Sequence, residues 1–214
     1  MIVIVDYNMG NIGSVLNMVK RIGREAIISS DRNVIEKATH LILPGVGSFD
    51  AGMNNLHDLS LIPTLNELAL VRKVPILGIC LGMQLMTQSS EEGSQDGLGW
   101  FDADTIMFDF KNVEGKYTLP NMGWRPVEIR NDSPLLYKLD AEPRYYFVHK
   151  YHVKPRQASQ ICMTSFYGYD FVAAIDNKNI VGVQFHPEKS HRYGQQLISN
   201  FLNNYSVLGN STMQ

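Results

Sequence analysis

The sequence predicts an α/β protein, one domain built on a mixed, mostly parallel sheet with helices packed against it. Three observations predict this. In the first half, short β-branched or apolar runs alternate with stretches whose apolar residues recur every three or four positions, as strands joined by crossover helices do. In the second half the runs stay short and strand-like, with Gly and Pro between them, which suits antiparallel pairing. The chain has 214 residues, 44% hydrophobic and 19% charged, enough apolar side chain for one substantial core. Residues 1–205 are read as a single domain and 206–214 as a polar tail, expected to fray.

Taken in order, Ile2 to Val5 is a short β-branched run and predicts a buried strand. Asn8, Gly10 and Gly13 punctuate the turn after it, and Ile12, Val15, Leu16 and Val19 then recur at helical spacing. Ala26 to Ile28 and Leu41 to Leu43 predict the second and third strands, the latter stopped by Pro44-Gly45-Val46-Gly47. Leu59 to Val71 is apolar at helical period, Pro75 to Ile79 predicts a further strand, and a helix with Met83, Leu85 and Met86 follows Cys80. From Trp100 to Ile129 the segments are short and strand-like. Tyr145 to Val148, Gln160 to Ser165, Phe171 to Ile175 and Ile180 to Phe185 predict later strands, with a hairpin turn at Asn177-Lys178-Asn179. Leu197, Ile198 and Phe201 mark a closing helix.

Composition excludes several classes of function. Lys plus Arg number 19 against 21 for Asp plus Glu, so no basic excess favours nucleic acid or an anionic membrane. Two cysteines allow at most one disulfide, which argues for a reducing compartment. The opening MIVIVDYN has no positive n-region, and no stretch approaches the ~18 apolar residues of a membrane span. A soluble, cytoplasmic protein is the expectation. The cysteines lie too far apart in sequence to suggest metal-ligand spacing, and no cofactor is implied.

The sharpest chemical feature is Gly78-Ile79-Cys80-Leu81-Gly82, a nucleophile flanked by glycines two positions away on each side, after an apolar run and before a helix. This is the nucleophile-elbow pattern with Cys in place of Ser. Glycines permit the tight strand-to-helix turn, and the turn holds the side chain strained and exposed. The following helix start favours thiolate, and the Leu81 N–H becomes an oxyanion donor. The competing reading is a buried structural cysteine with glycines for packing.

A cysteine nucleophile needs a base. His186, in Gln184-Phe185-His186-Pro187-Glu188, follows a predicted strand and has a carboxylate two residues on, so Glu188 can hold the ring's tautomer and stabilise its cation. His40 and His57 read as surface residues. His149 and His152 alternate along a predicted strand and read as satisfied structural histidines more readily than as site residues. Pro44 to Gly47 ends a parallel strand, where α/β sheets place their ligand crevice, and a backbone N–H there could be the second oxyanion donor.

Together these residues resemble a class I (triad) glutamine amidotransferase over nearly the whole chain: PGVGSF at Pro44 to Phe49, PILGICLGMQ at Pro75 to Gln84, and QFHPEKS at Gln184 to Ser190. The resemblance implies a three-layer fold and glutaminase chemistry. It implies a triad of Cys80, His186 and Glu188, and oxyanion donors at Leu81, Val46 and Gly47. It also implies substrate contacts at Gln84 and Gly45.

Within the class, the sequence is most similar to the glutaminase subunits of imidazole glycerol phosphate synthases, through Asp6-Tyr7-Asn8-Met9-Gly10-Asn11, Pro120-Asn121-Met122-Gly123-Trp124 and Tyr146-Phe147-Val148-His149. That resemblance implies a heterodimer with a (β/α)8 cyclase that receives ammonia through a protected channel, with Asn11, Trp124 and Lys189 at or near the interface. Without the resemblance, Trp124 reads equally well as a core aromatic. Asn121, Gly13 and Lys150 depart from the pattern, where His, Arg and Ser are usual, and leave room for a paralogue that supplies ammonia to a partner modifying a surface sugar. Two readings of other classes stand beside these, a stand-alone cysteine hydrolase of γ-glutamyl bonds and a non-catalytic assembly protein.

Overall fold

The computed structural model describes residues 1–206. In chain order the first half contains β1 (Ile2–Val5), α1 (Ile12–Arg21), β2 (Ala26–Ser29), α2 (Arg32–Ile35), β3 (His40–Gly45) and α3 (Phe49–Asp58). It continues with α4 (Ile62–Asn66), which runs into a π turn at Glu67–Val71, then β4 (Ile76–Cys80) and α5 (Leu81–Leu85). The second half is strand-rich: β5 (Ser89–Ser90), β6 (Ala103–Met107), β7 (Asn121–Pro126), β8 (Glu128–Ile129), β9 (Arg144–His149), β10 (Tyr151–Pro155), β11 (Ile161–Tyr167), β12 (Tyr169–Asn177) and β13 (Ile180–Val183). A short 3-10 turn at Pro187–Lys189 leads into α6 (His191–Asn204).

Eight strands form one sheet in the order β2-β1-β3-β4-β13-β12-β11-β8. From β2 to β13 the pairing is parallel, and from β13 to β8 it is antiparallel. This is the mixed sheet expected from the change of character along the chain. β10, β6 and β5 form a second small sheet, and β7 pairs with β9 in a two-stranded ribbon.

Side-chain alternation sorts the core onto the two faces of the large sheet. Ile2, Ile4, Ile42, Leu77 and Ile79 face α1, α6 and the β7–β9 ribbon, packing with Val15, Val19, Phe147, Leu197 and Phe201. Val3, Val5, Leu41, Leu43 and Ile76 face the other way, onto Phe49, Leu56, Leu65 and Leu85 of α3, α4 and α5. The result is three layers, helix, sheet and helix. No helix among the described residues is long and apolar enough to cross a membrane.

Three local features differ from expectation. α3 fills a stretch where no helix was expected; Glu92, distant in sequence, accepts from the Phe49 N–H at 2.8 Å and so caps it. The apolar period from Leu59 begins its helix only at Ile62, because Ser60 takes a positive φ of 53° and closes the preceding turn. α5 is five residues long, since the chain turns at Thr87 into β5. The expected hairpin turn is present, with Lys178 at φ 63° and Asn179 donating to the carbonyls of Ala69 and Val74. The expected frayed tail lies, from 207 onward, outside the described residues.

Candidate active site

Cys80 ends β4 and starts α5 with φ 53° and ψ −109°, a conformation that L-residues rarely adopt. The glycines two positions away make this possible. A Cβ on Gly78 would lie 2.8 Å from the Gly82 carbonyl carbon and the Met83 nitrogen, and one on Gly82 would collide with the Leu43 carbonyl. Strand-to-helix closeness, not flexibility, is what these two positions require.

Sheet register then gathers the other segments. β3 places Gly45 opposite Cys80, so Val46 and Gly47 emerge beside the thiol. β13 places Val183 opposite Ile79, so the chain leaving β13 carries Gln184 and His186 to the same end of the sheet. Tyr146 of β9 holds that chain, its carbonyl accepting from the His186 N–H at 2.8 Å.

His186 Nδ1 donates to Glu188 Oε1 at 2.8 Å, and the two side chains are 1% and 2% exposed. His186 Nε2 is buried and has no hydrogen-bond partner among the described residues. Burial opposes the ring's positive charge, but Cys80 and Glu188 outweigh it and raise the His186 pKa above its ordinary value. The thiol accepts from Gln184 Nε2 at 3.8 Å and lies 4.0 Å from the Val148 carbonyl.

Cys80 and His186 open into one cavity of about 220 Å³, walled also by Val46, Gly47, Leu81 and Gln84. Drug-sized sites hold roughly 300–1,000 Å³, so this one suits a ligand of amino-acid size. Gln84 donates through Nε2 to the Tyr151 carbonyl at 3.0 Å and to Gln184 Oε1 at 3.2 Å. Gly45 is not on the cavity wall; it packs behind, where a Cβ would meet the Tyr7 hydroxyl and Leu81.

The wall also holds residues that sequence reasoning had not assigned to the site. Glu92, Pro120, Lys150 and Tyr151 line it, and His149, read as a structural histidine, does both jobs. His149 is buried, and desolvation pulls its pKa down to about 3, leaving a neutral ring. Glu92 arrives from a polar loop held by its bond to α3, a non-local placement with no local signal in the sequence.

The sequence model of the glutamine amidotransferase class-I family matches residues 3–205. This chain belongs to that family. Among curated proteins, an imidazole glycerol phosphate synthase subunit HisH 2 of Methanococcus maripaludis is 50% identical over 94% of this chain and 98% of its own length. A second protein of the same name, from Pseudomonas aeruginosa, is 45% identical with the same coverage. A HisH subunit of Leptospira borgpetersenii is 39% identical, again over 94% of this chain and 98% of its own length. Among solved structures, PurLQS from Thermotoga maritima has a TM-score of 0.72 at 17% identity, covering 95% of this chain and 97% of that one. A glutamine amidotransferase structure has a TM-score of 0.70 at 17% identity, covering 94% of this chain and 96% of that one. These two share the fold.

In this amidotransferase Trp124 is 42% exposed, not a core residue, and stacks on His191 with ring centroids 5.6 Å apart. Lys189 places its ammonium 5.8 Å from the Tyr146 ring, which Trp124 meets edge-on at 6.4 Å. Asn11 is exposed at the start of α1, its carbonyl accepting from Ser14 and Val15. His57 lies in the last turn of α3 and is exposed, whereas His40 is half-buried with Nε2 2.9 Å from the Tyr205 carbonyl, so of these two His57 alone is a surface residue. Cys162 is sealed in the core, where burial raises its pKa and leaves it inert.

Proposed function

We propose that this chain is the glutaminase subunit of imidazole glycerol phosphate synthase, supplying ammonia from glutamine to a cyclase subunit in histidine biosynthesis. The observation that carries the chemistry is the junction of Cys80 with the buried His186–Glu188 pair at one small cavity. The relatives named as subunits of that synthase, at 39–50% identity, support the pathway.

In this reading the Cys80 thiolate attacks the side-chain amide carbon of glutamine. The oxyanion is held by backbone N–H groups of Leu81 and of the Val46–Gly47 segment, each worth roughly 3–4 kcal/mol in comparable sites. The C–N bond breaks as His186, through Nε2, protonates the departing ammonia, and a γ-glutamyl thioester remains on Cys80. His186 then takes a proton from water, which attacks the thioester and releases glutamate and the thiol. Glu188 holds the ring by Nδ1 and stabilises its cation throughout. Gln84 orients the substrate, while Glu92 and Lys150 supply the opposite charges that an amino acid's ammonium and carboxylate require.

The partner in this reading is a (β/α)8 cyclase docked over Asn11, Trp124 and Lys189, and water exclusion there keeps ammonia nucleophilic. Residues 1–205 act as one domain, and the free thiol suits a cytoplasmic, reducing setting. The test is glutamate release with the histidine-pathway cyclase, with and without its ribulosyl nucleotide substrate. Large stimulation by both together is expected. No stimulation, with Cys80 still open to a glutamine-analogue electrophile, contradicts the pathway and points to a different ammonia acceptor.

A further inference from the structure

Asn121 is fully buried at the start of β7, directly opposite His149 in the ribbon. Its carboxamide is held from both sides. Arg125 Nε donates to Asn121 Oδ1, and Asn121 Nδ2 lies 3.0 Å from His149 Nε2. On its other side, His149 Nδ1 lies 2.8 Å from the Tyr151 carbonyl. That same carbonyl accepts from Gln84 Nε2 at 3.0 Å.

Only one assignment of hydrogens satisfies every contact. A guanidinium can only donate, so the Asn121 oxygen must face Arg125 and its NH2 must face the imidazole. A carbonyl can only accept, so His149 must carry its proton on Nδ1 and present a lone pair at Nε2. The Nε2–H tautomer would set two lone pairs against each other at Tyr151 and two donors against each other at Asn121. A cationic ring would repeat the second conflict. Asn121 and His149 are both buried, so an unmade bond between them has no water to replace it.

We propose that Asn121 is a positioning residue for the glutamine pocket. By donating to His149 Nε2 it fixes the Nδ1–H tautomer, which anchors the Tyr151 carbonyl, and that carbonyl fixes the carboxamide of Gln84. Arg125, seated over the Tyr167 ring at 4.2 Å, sets the orientation of Asn121. The inference rests on the reading of Gln84 as a substrate contact and extends it to a residue that does not touch substrate.

The test uses the full chain with 15N-labelled histidine, on which long-range 1H–15N correlation reads each ring nitrogen without substrate. The wild type is expected to show His149 as the Nδ1–H tautomer. Asn121→Asp replaces the donor with an acceptor and is expected to place a proton on Nε2. With Nδ1 left bare in that variant, KM for glutamine is expected to rise about tenfold, with kcat held within about threefold. Asn121→Leu removes the donor without offering an acceptor, and is expected to raise KM while the ring stays neutral. A wild-type Nε2–H tautomer overturns the proposal whether or not any variant folds. A ring in Asn121→Asp that carries its proton on Nε2 alone, with unchanged KM, overturns it too. If the wild type turns over no glutamine in any assembly, the glutaminase reading fails, and the relay to substrate fails with it; the ring nitrogens, read without substrate, then show whether the fault lies in the reading or in the hydrogen-bond network.

Discussion

His186 Nδ1 meets Glu188 Oε1 at 2.8 Å in a site almost closed to solvent, while the ring's other nitrogen has no partner among the described residues. A carboxylate two residues from its histidine reaches the ring because the 3-10 turn at Pro187–Lys189 folds the chain back on itself. Ser190 locks this turn by donating to the His186 carbonyl at 2.6 Å while accepting from the Tyr146 N–H at 3.0 Å. One end of the imidazole is fixed, and the other is free for proton transfer.

Glu188→Gln keeps the shape of this contact and removes its charge. Glutaminase kcat is expected to fall by about 10²–10⁴, with KM for glutamine little changed. Steady-state kinetics of the variant in the activated complex checks it. An unchanged kcat would leave Glu188 a structural residue.

Cys80 is held in a strained backbone conformation that costs about 1–3 kcal/mol. Cys80→Gly is therefore expected to be inactive yet more stable than the wild type by about 1 kcal/mol, after the greater chain entropy of glycine is subtracted. Urea denaturation measures the difference. A less stable variant would show that the thiol's own packing outweighs the strain.

Tyr7 is fully buried, and its hydroxyl has no hydrogen-bond partner among the described residues. Removing an unsatisfied buried polar atom relieves a penalty of about 1–3 kcal/mol, partly offset by the small void left behind. Tyr7→Phe is expected to raise the urea midpoint without altering the fold. A lowered midpoint would mean that the hydroxyl is satisfied in solution.

His149 and His152 are buried and neutral, with pKa values pulled down by desolvation to about 3 and about 4. In the unfolded chain each returns to about 6.5, so the unfolded state binds more protons between these values and stability falls as the pH drops. Each ring is expected to contribute a slope of up to about 1.4 kcal/mol per pH unit, starting below about pH 6.5. Denaturation across pH 7 to 4.5 checks this, with His152→Gln expected to flatten the slope. An identical slope in that variant would contradict the neutral, buried state of His152.

Much of this was legible in the sequence because the decisive signals are local. The strand at Ile2–Val5, the Gly-flanked Cys80 and the His186–Glu188 spacing are each set by neighbours in the chain. What escaped was placed by distant contacts. Glu92 reaches the cavity because its carboxylate caps α3, and Asn121 meets His149 only through strand register. Gly45 lacks a side chain because its position packs closely against Tyr7 and Leu81, a contact between segments distant in the chain.

Cys80, not Cys162, is the thiol proposed to bond covalently with the glutamine side chain. The most direct measurement is mass spectrometry of the full chain after treatment with a glutamine-analogue chloroketone. A single adduct on the Cys80 peptide, lost in the presence of excess glutamine, is the predicted result. An adduct on Cys162, or glutamine turnover that survives in Cys80→Ala, would contradict the account.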